Sequence, residues 1–129
     1  MILKSDVVYI AGPMTGHMLF NYQAFFGMEG LLKKEFGCEV LNPARQPNGL
    51  PYERYMELAI ADIDKADCIV MLDMWHTSSG AQRERTHAEC IGKKVIYQPE
   101  IEDYLHEKFS IEFGAMYETG IDSKKKVAR

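Results

Sequence analysis

Glu84 is the residue whose type and place most invite chemistry. Read as a helix capped by Ser79, the segment SSGAQRERTHAECIGKK (78–94) puts Ala81, Ala88 and Ile91 on one stripe at helical spacing, with Glu84 among them. A carboxylate turned toward a core costs several kcal/mol unless something there uses it, whereas Arg83, Arg85 and Glu89 have the solvent face. A position near a helix N-terminus favours the ionised form by up to about 1 kcal/mol, which suits a nucleophile better than an acid. The alternative is an inward ion pair with an arginine such as Arg45 or Arg54, and spacing alone leaves both open.

Other candidates gather around it. Tyr9 lies on a strand just before a glycine loop, where core packing with a bonded hydroxyl is the simpler role. Asp62 borders the apolar stripe of a helix beside Ala59 and Ala66, a second carboxylate that looks inward. Gly12-Pro-Met-Thr-Gly16 matches neither a Walker loop nor a dinucleotide fingerprint, but its amides and Thr15 form a turn able to hold an anion. Ser79 and Gln82 have capping-box spacing. Ser78 has no such task and, with Trp75 and His76, is free to meet a base or a phosphate, although Trp75 equally fits a lid over the core. His87-Ala-Glu89 resembles half of a zinc-deaminase signature whose required P-C-x-x-C is missing. Cys38, Cys68 and Cys90, odd in number and unpaired in spacing, suggest reduced thiols rather than disulfides or a metal cage, and no cofactor is implied.

The elements that must position these groups alternate along the chain. DVVYIAG (6–12) reads as a strand entering a tight loop, and a helix capped by Asn21 should run to about Phe36 with Phe25, Met28 and Leu32 on one face and Gly37 as its stop. CEVLNP makes a second strand, followed by the proline-rich connection PARQPNGLP. A helix over Tyr52 to Lys65 carries Met56, Ala59, Ile60 and Ile63 on its stripe. DCIVML is a near-continuous apolar strand, as expected of one covered on both faces, and KVIYQ is a fourth. Tyr104, Leu105 and Phe109 suggest a further helix, with Phe113 to Tyr117 adding some packing.

Alternating strands and helices predict an α/β fold: a flavodoxin-like, doubly wound parallel sheet of four to five strands in a three-layer sandwich. Ligands of such sheets bind beyond the carboxyl ends of the strands, where the strand order reverses. That edge would collect the loops Gly12 to Phe20, Asn42 to Pro51 and Asp73 to Gly80. With 129 residues, 47% of them hydrophobic, one domain over 1–129 is expected. A net charge of -4 argues against nucleic-acid polymers and anionic membranes as partners, and the basic run Lys124 to Lys126 reads as a solvated tail. Without a signal pattern or an apolar run of about 20 residues, a cytoplasmic protein is expected.

With these positions placed, the sequence resembles the nucleoside 2-deoxyribosyltransferase superfamily, most closely its small phage and bacterial branch known as a domain of unknown function. The resemblance runs from about Val7 to Tyr97 and rests on VYIAGPMTG, the NP after the second strand, ADIDKADCIVML, and SSGAQRE with the following GKKV. It implies cleavage of an N-glycosidic bond, with Glu84 as nucleophile, Tyr9 orienting it and Asp62 positioning the nucleoside. Taken together with the loops at the ligand edge, it gives Gly12, Thr15, Gly16, Asn42, Trp75, Ser78, Ser79 and Gly80 as the expected substrate-binding positions, with Ser78 and the Thr15–Gly16 loop as phosphate contacts. Ser78 stands where transferases acting on free nucleosides carry an aspartate and 5′-monophosphate hydrolases a serine, which points to a nucleotide because a hydroxyl donates to phosphate and a carboxylate repels it. Transfer of deoxyribose between bases and a non-catalytic nucleotide-binding module are the alternatives. The resemblance also implies a homodimer with a small-molecule nucleotide or nucleoside as its ligand. Thr86 departs from the glycine that many relatives carry there.

Overall fold

The computed structural model describes residues 1–14 and 18–118, with side chains omitted at 18–19 and 113–118. It divides into two compact units, Met1–Gln98 and Pro99–Arg129. The first holds four strands, β1 (Val7–Ala11), β2 (Glu39–Leu41), β3 (Cys68–Met71) and β4 (Lys94–Tyr97), and three helices, α1 (Tyr22–Phe36), α2 (Tyr52–Lys65) and α3 (Ser79–Cys90). A fourth helix, α4 (Gln98–Glu118), opens directly after β4 and includes Tyr104, Leu105 and Phe109. The packing expected of Phe113 to Tyr117 falls on side chains outside those described.

All strands pair in parallel, in the order β2-β1-β3-β4. This is the flavodoxin-like doubly wound arrangement, with four strands, and the order reverses between β1 and β3. Strand alternation decides what each face buries. Tyr9 and Ala11 of β1 and Ile69 and Met71 of β3 share one core with Ala59 and Ile63 of α2 and Ala81 and Ala88 of α3. The intervening Val8, Ile10, Cys68 and Val70, all buried, face the other way, toward the layer where α1 contributes Phe25, Met28 and Leu32. Burial on both faces explains why CIVM lacks alternation. Ile60 is only partly buried, and Ile91 ends the α3 stripe exposed, because α3 stops at Cys90.

Local signals set the ends of these elements. Gly37 adopts φ 68 and its N–H bonds to the Lys33 carbonyl, closing α1. At the other end of α1, Asn21 sits at φ 61 without a side-chain cap; its Nδ2 instead donates to the Pro13 carbonyl at 3.0 Å. The expected side-chain cap is therefore replaced by a bond across the loop after β1. Gly12 is needed for close approach, since a Cβ there would lie 2.8 Å from the Leu72 Cβ. Asp67, as a turn residue before β3, accepts from the Val7 N–H at 2.7 Å. Among the described residues no helix is long and apolar enough to cross a membrane.

Candidate active site

Helix α3 delivers Glu84 to the carboxyl edge of the sheet. Its N-cap is Ser78 rather than Ser79: the Ser78 Oγ accepts from the Ala81 N–H at 3.1 Å. Gln82, the supposed capping-box partner, donates its side-chain amide to the His76 carbonyl. A shift of one residue leaves the helical period intact, so Ala81, Glu84 and Ala88 still form the buried stripe.

Glu84 is 8% exposed and its Oε2 accepts a hydrogen bond from the hydroxyl of Tyr9, which is fully buried. The arginines that could have neutralised it are engaged elsewhere, Arg45 with Glu29 and Arg54 with Glu57. With no cation beside it among the described residues, burial pushes the Glu84 carboxyl up to about 7, against the opposing pull of the Tyr9 hydrogen bond. Burial thus works against the ionised form that the helix N-terminus was expected to favour. Tyr9 is pushed well above the usual phenol range by burial and by the adjacent Glu84, and stays a donor.

Above this pair opens a cleft of about 660 Å³. Its floor includes Tyr9, Gly12 and Glu84; α2 contributes Met56, Ala59 and Asp62; the α3 terminus contributes Thr77, Ser78, Ser79 and Gly80. Asp62 is partly exposed, with Lys65 4.0 Å from its carboxylate. Pro43, Gln46, Asn48, Gly49 and Leu50 form the facing wall, and Phe20, Tyr22, Tyr52 and Tyr55 supply aromatic surface. Phe20 holds a left-handed backbone, φ 52, a strained state for a bulky residue, and remains largely exposed at the cleft.

Of the sequence-derived positions, Tyr9, Gly12, Asp62, Ser78, Ser79, Gly80 and Glu84 are thereby brought to one cavity. Thr15 and Gly16 lie outside the described residues. Two others need correction as cleft residues. Asn42 is buried, its Nδ2 donating to the Glu29 side chain of α1 at 3.0 Å and its Oδ1 accepting from the Ala44 N–H in the turn after β2 at 2.9 Å, so both ends of its amide are spent away from the cleft. Trp75 packs against Tyr97, ring centroids 5.8 Å apart, beneath the Arg85 guanidinium at 4.7 Å, and does not line the cleft. Arg85 is consequently less solvated than its place on the helix suggested; it donates to the Tyr97 hydroxyl at 3.1 Å. Thr86 is exposed, so its bulk leaves the packing of α3 on the sheet undisturbed.

Tyr22, Tyr52 and Tyr55 were not identified from the sequence. Tyrosine at the start of a helix that follows a ligand-edge loop was the available signal. Among the described residues no group of three His, Cys, Asp or Glu side chains is placed to hold a metal ion. His87 instead pairs with Asp64 at 2.8 Å.

Fold and site together define a parallel α/β domain with a buried glutamate–tyrosine pair beneath a cleft at the switch point of its sheet. The chain belongs to the family described as a domain of unknown function, DUF4406, whose model matches residues 6–97, from just before β1 to the end of β4. No curated protein matches it.

Proposed function

We propose that the protein is an N-glycosidase that cleaves the base–sugar bond of a (deoxy)nucleoside 5′-monophosphate through a covalent glutamyl-sugar intermediate. The observation that carries this reading is Glu84: a buried carboxylate with no cation partner among the described residues, one oxygen held by Tyr9, at the floor of a cleft in the size range of small-molecule sites. A purely structural glutamate would be expected to have a cation beside it. The likeness of the VYIAGPMTG and SSGAQRE segments to nucleoside 2-deoxyribosyltransferases supports the same chemistry.

In the first step a Glu84 carboxylate oxygen forms a bond to the anomeric carbon as the C–N bond breaks through an oxocarbenium-like state. The base departs with the bonding electron pair and takes up a proton. Asp62, the other carboxylate on the cleft, is assigned as the relay for that proton. Water then attacks the same carbon, the glutamyl ester bond breaks, and the carboxylate is restored with loss of the water's proton. Ionised Glu84 is the reactive form, and the Tyr9 hydrogen bond both orients it and favours that form. The phosphate is assigned to the α3 terminus, where the Ser78 hydroxyl and the first-turn amides at Ser79 and Gly80 line the cleft. A homodimer belongs to the same reading.

The test is incubation with a panel of deoxy- and ribonucleoside 5′-monophosphates and the matching nucleosides, with free base measured by chromatography. Base release from a monophosphate, abolished in Glu84→Ala, is expected. Release from none, or equal release by the variant, overturns the proposal. Transfer to an added second base rather than to water would show as a new nucleotide in the same chromatogram.

A further inference from the structure

The wall of the cleft opposite α3 is a loop, residues 42–50, that follows an edge strand of only three residues. Pro43–Arg45 make one 3-10 turn, and Gly49 turns the chain at φ 86. So little regular structure does not by itself hold a wall in place. The loop is instead tied down at several points. Tyr55 accepts from the Leu50 N–H at 3.1 Å and donates to the Pro47 carbonyl at 2.6 Å. Tyr22 donates to the Asn48 Oδ1 at 2.9 Å.

The remaining tie is the most buried. Glu29 of α1, with a side chain 6% exposed, accepts two hydrogen bonds from Arg45, at 3.2 and 2.7 Å, and one from Asn42 at 3.0 Å. It thereby fixes the first turn of the loop. The Arg45 guanidinium also lies over the Phe26 ring, 4.9 Å from its centroid, and Phe26 meets Tyr22 edge-on at 6.0 Å. Arg45 and the Tyr22–Asn48 tie therefore share one support. Lys33, on the same helix, completes the Glu29 carboxylate at 2.8 Å. Glu29 itself does not line the cleft.

From this arrangement we infer that Glu29 is a positioning residue, which holds the 42–50 wall through Arg45 and Asn42 so that capture of the nucleotide depends on it while the bond-breaking step does not. The inference rests on the reading of the cleft as a nucleotide site. Glu29 shares no contact with Glu84, so its loss should remove binding that is uniform between ground and transition states.

The experiment compares Glu29→Gln, Arg45→Met and Lys33→Ala in the full chain, by steady-state kinetics on whichever monophosphate the wild type cleaves and by limited trypsin digestion. Glu29→Gln and Arg45→Met should each raise KM by about tenfold with kcat within about twofold, and the double variant should add little to either. Lys33→Ala should leave both constants unchanged. In Glu29→Gln, trypsin should cut the Arg45–Gln46 bond about tenfold faster than in the wild type, relative to the Lys65–Ala66 bond. A fall in kcat with KM unchanged, or unaltered kinetics, overturns the inference. An unaltered rate of cutting after Arg45 does so even if the wild type cleaves no nucleotide, whereas faster cutting with no turnover by the wild type leaves the tether standing and defeats the nucleotide reading.

Discussion

Glu29 and Glu84 are the buried carboxylates among the described residues, 5% and 8% exposed, each on a helix that covers one face of the same sheet. Their ionisation is opposite. The Arg45 hydrogen bonds, with Lys33 and Asn42, hold Glu29 down to about 2 despite its burial. Glu84 has a phenol where Glu29 has two cations, and burial pushes it up to about 7. Low side-chain exposure therefore does not by itself set the charge; the depth of the group and its partners do. Glu29 is a satisfied anion, fit to hold structure. Glu84, once ionised, is held at a cost in stability, which is what the proposed catalytic role would require of it.

The widest separation between the two should appear in turnover. Glu84→Gln is expected to lower base release by about a thousandfold or more, because the amide cannot form the glycosyl ester. Glu29→Gln should leave kcat nearly intact. Equal loss of kcat in both variants would erase the contrast.

Next comes pH. If ionised Glu84 is the reactive species, kcat/KM should rise with pH through about 7 and level off above it. Tyr9→Phe removes a hydrogen bond that lowers the Glu84 value. The rising limb should therefore move to higher pH, with a loss of about tenfold at neutrality. A limb that stays in place would dissociate Tyr9 from the titration of Glu84.

Stability should separate the glutamates by sign. Glu29 has a depressed folded value, so its contribution is present above the unfolded value of 4.5 and lost as pH falls toward 2. Glu29→Gln should destabilise by about 2 kcal/mol at pH 7, a deficit that shrinks on acidification through that window. Glu84 has a raised folded value, so its penalty is absent below 4.5, grows between 4.5 and about 7, and is constant above. Glu84→Gln should stabilise by about 1–2 kcal/mol at pH 8 and by nothing near pH 4, in urea titrations. The same sign for both substitutions at pH 8 would show that the environments differ less than their partners suggest.

The smallest effect belongs to Ser78. Ser78→Ala removes the α3 cap and should cost about 1 kcal/mol in thermal or urea unfolding. It should also reduce the preference for a monophosphate over its nucleoside, about tenfold in kcat/KM, where a cap alone would leave that ratio unmoved.

The unequal visibility of these residues has physical causes. Strand runs of β-branched residues and the 3.6-residue period of α2 and α3 are local properties, so DCIVML, the Tyr52–Lys65 helix and the inward turn of Glu84 could be read from neighbours in sequence. The same argument applies to Glu29, one residue past Met28 and four past Phe25, yet it was not singled out. Its partners Arg45 and Asn42 come from a loop beyond the next strand, and no spacing rule links them. Ser78 and Ser79 are adjacent and chemically alike, so the capping residue depended on the backbone at Ser78, φ -111 and ψ 120. Asn42 and Trp75 sit in loops at the ligand edge but point away from the cleft, a choice made by Glu29 in one case and by Tyr97 and Arg85 in the other.

The role of Glu84 is tested most directly by acid quench of the wild type during turnover of a deoxynucleoside 5′-monophosphate, followed by intact-protein and peptide mass spectrometry. A mass increase equal to one dehydrated sugar phosphate, on the peptide containing Glu84 and absent from Glu84→Gln, is the expected result. Base release with no adduct at any quench time, or an adduct on another residue, would contradict it.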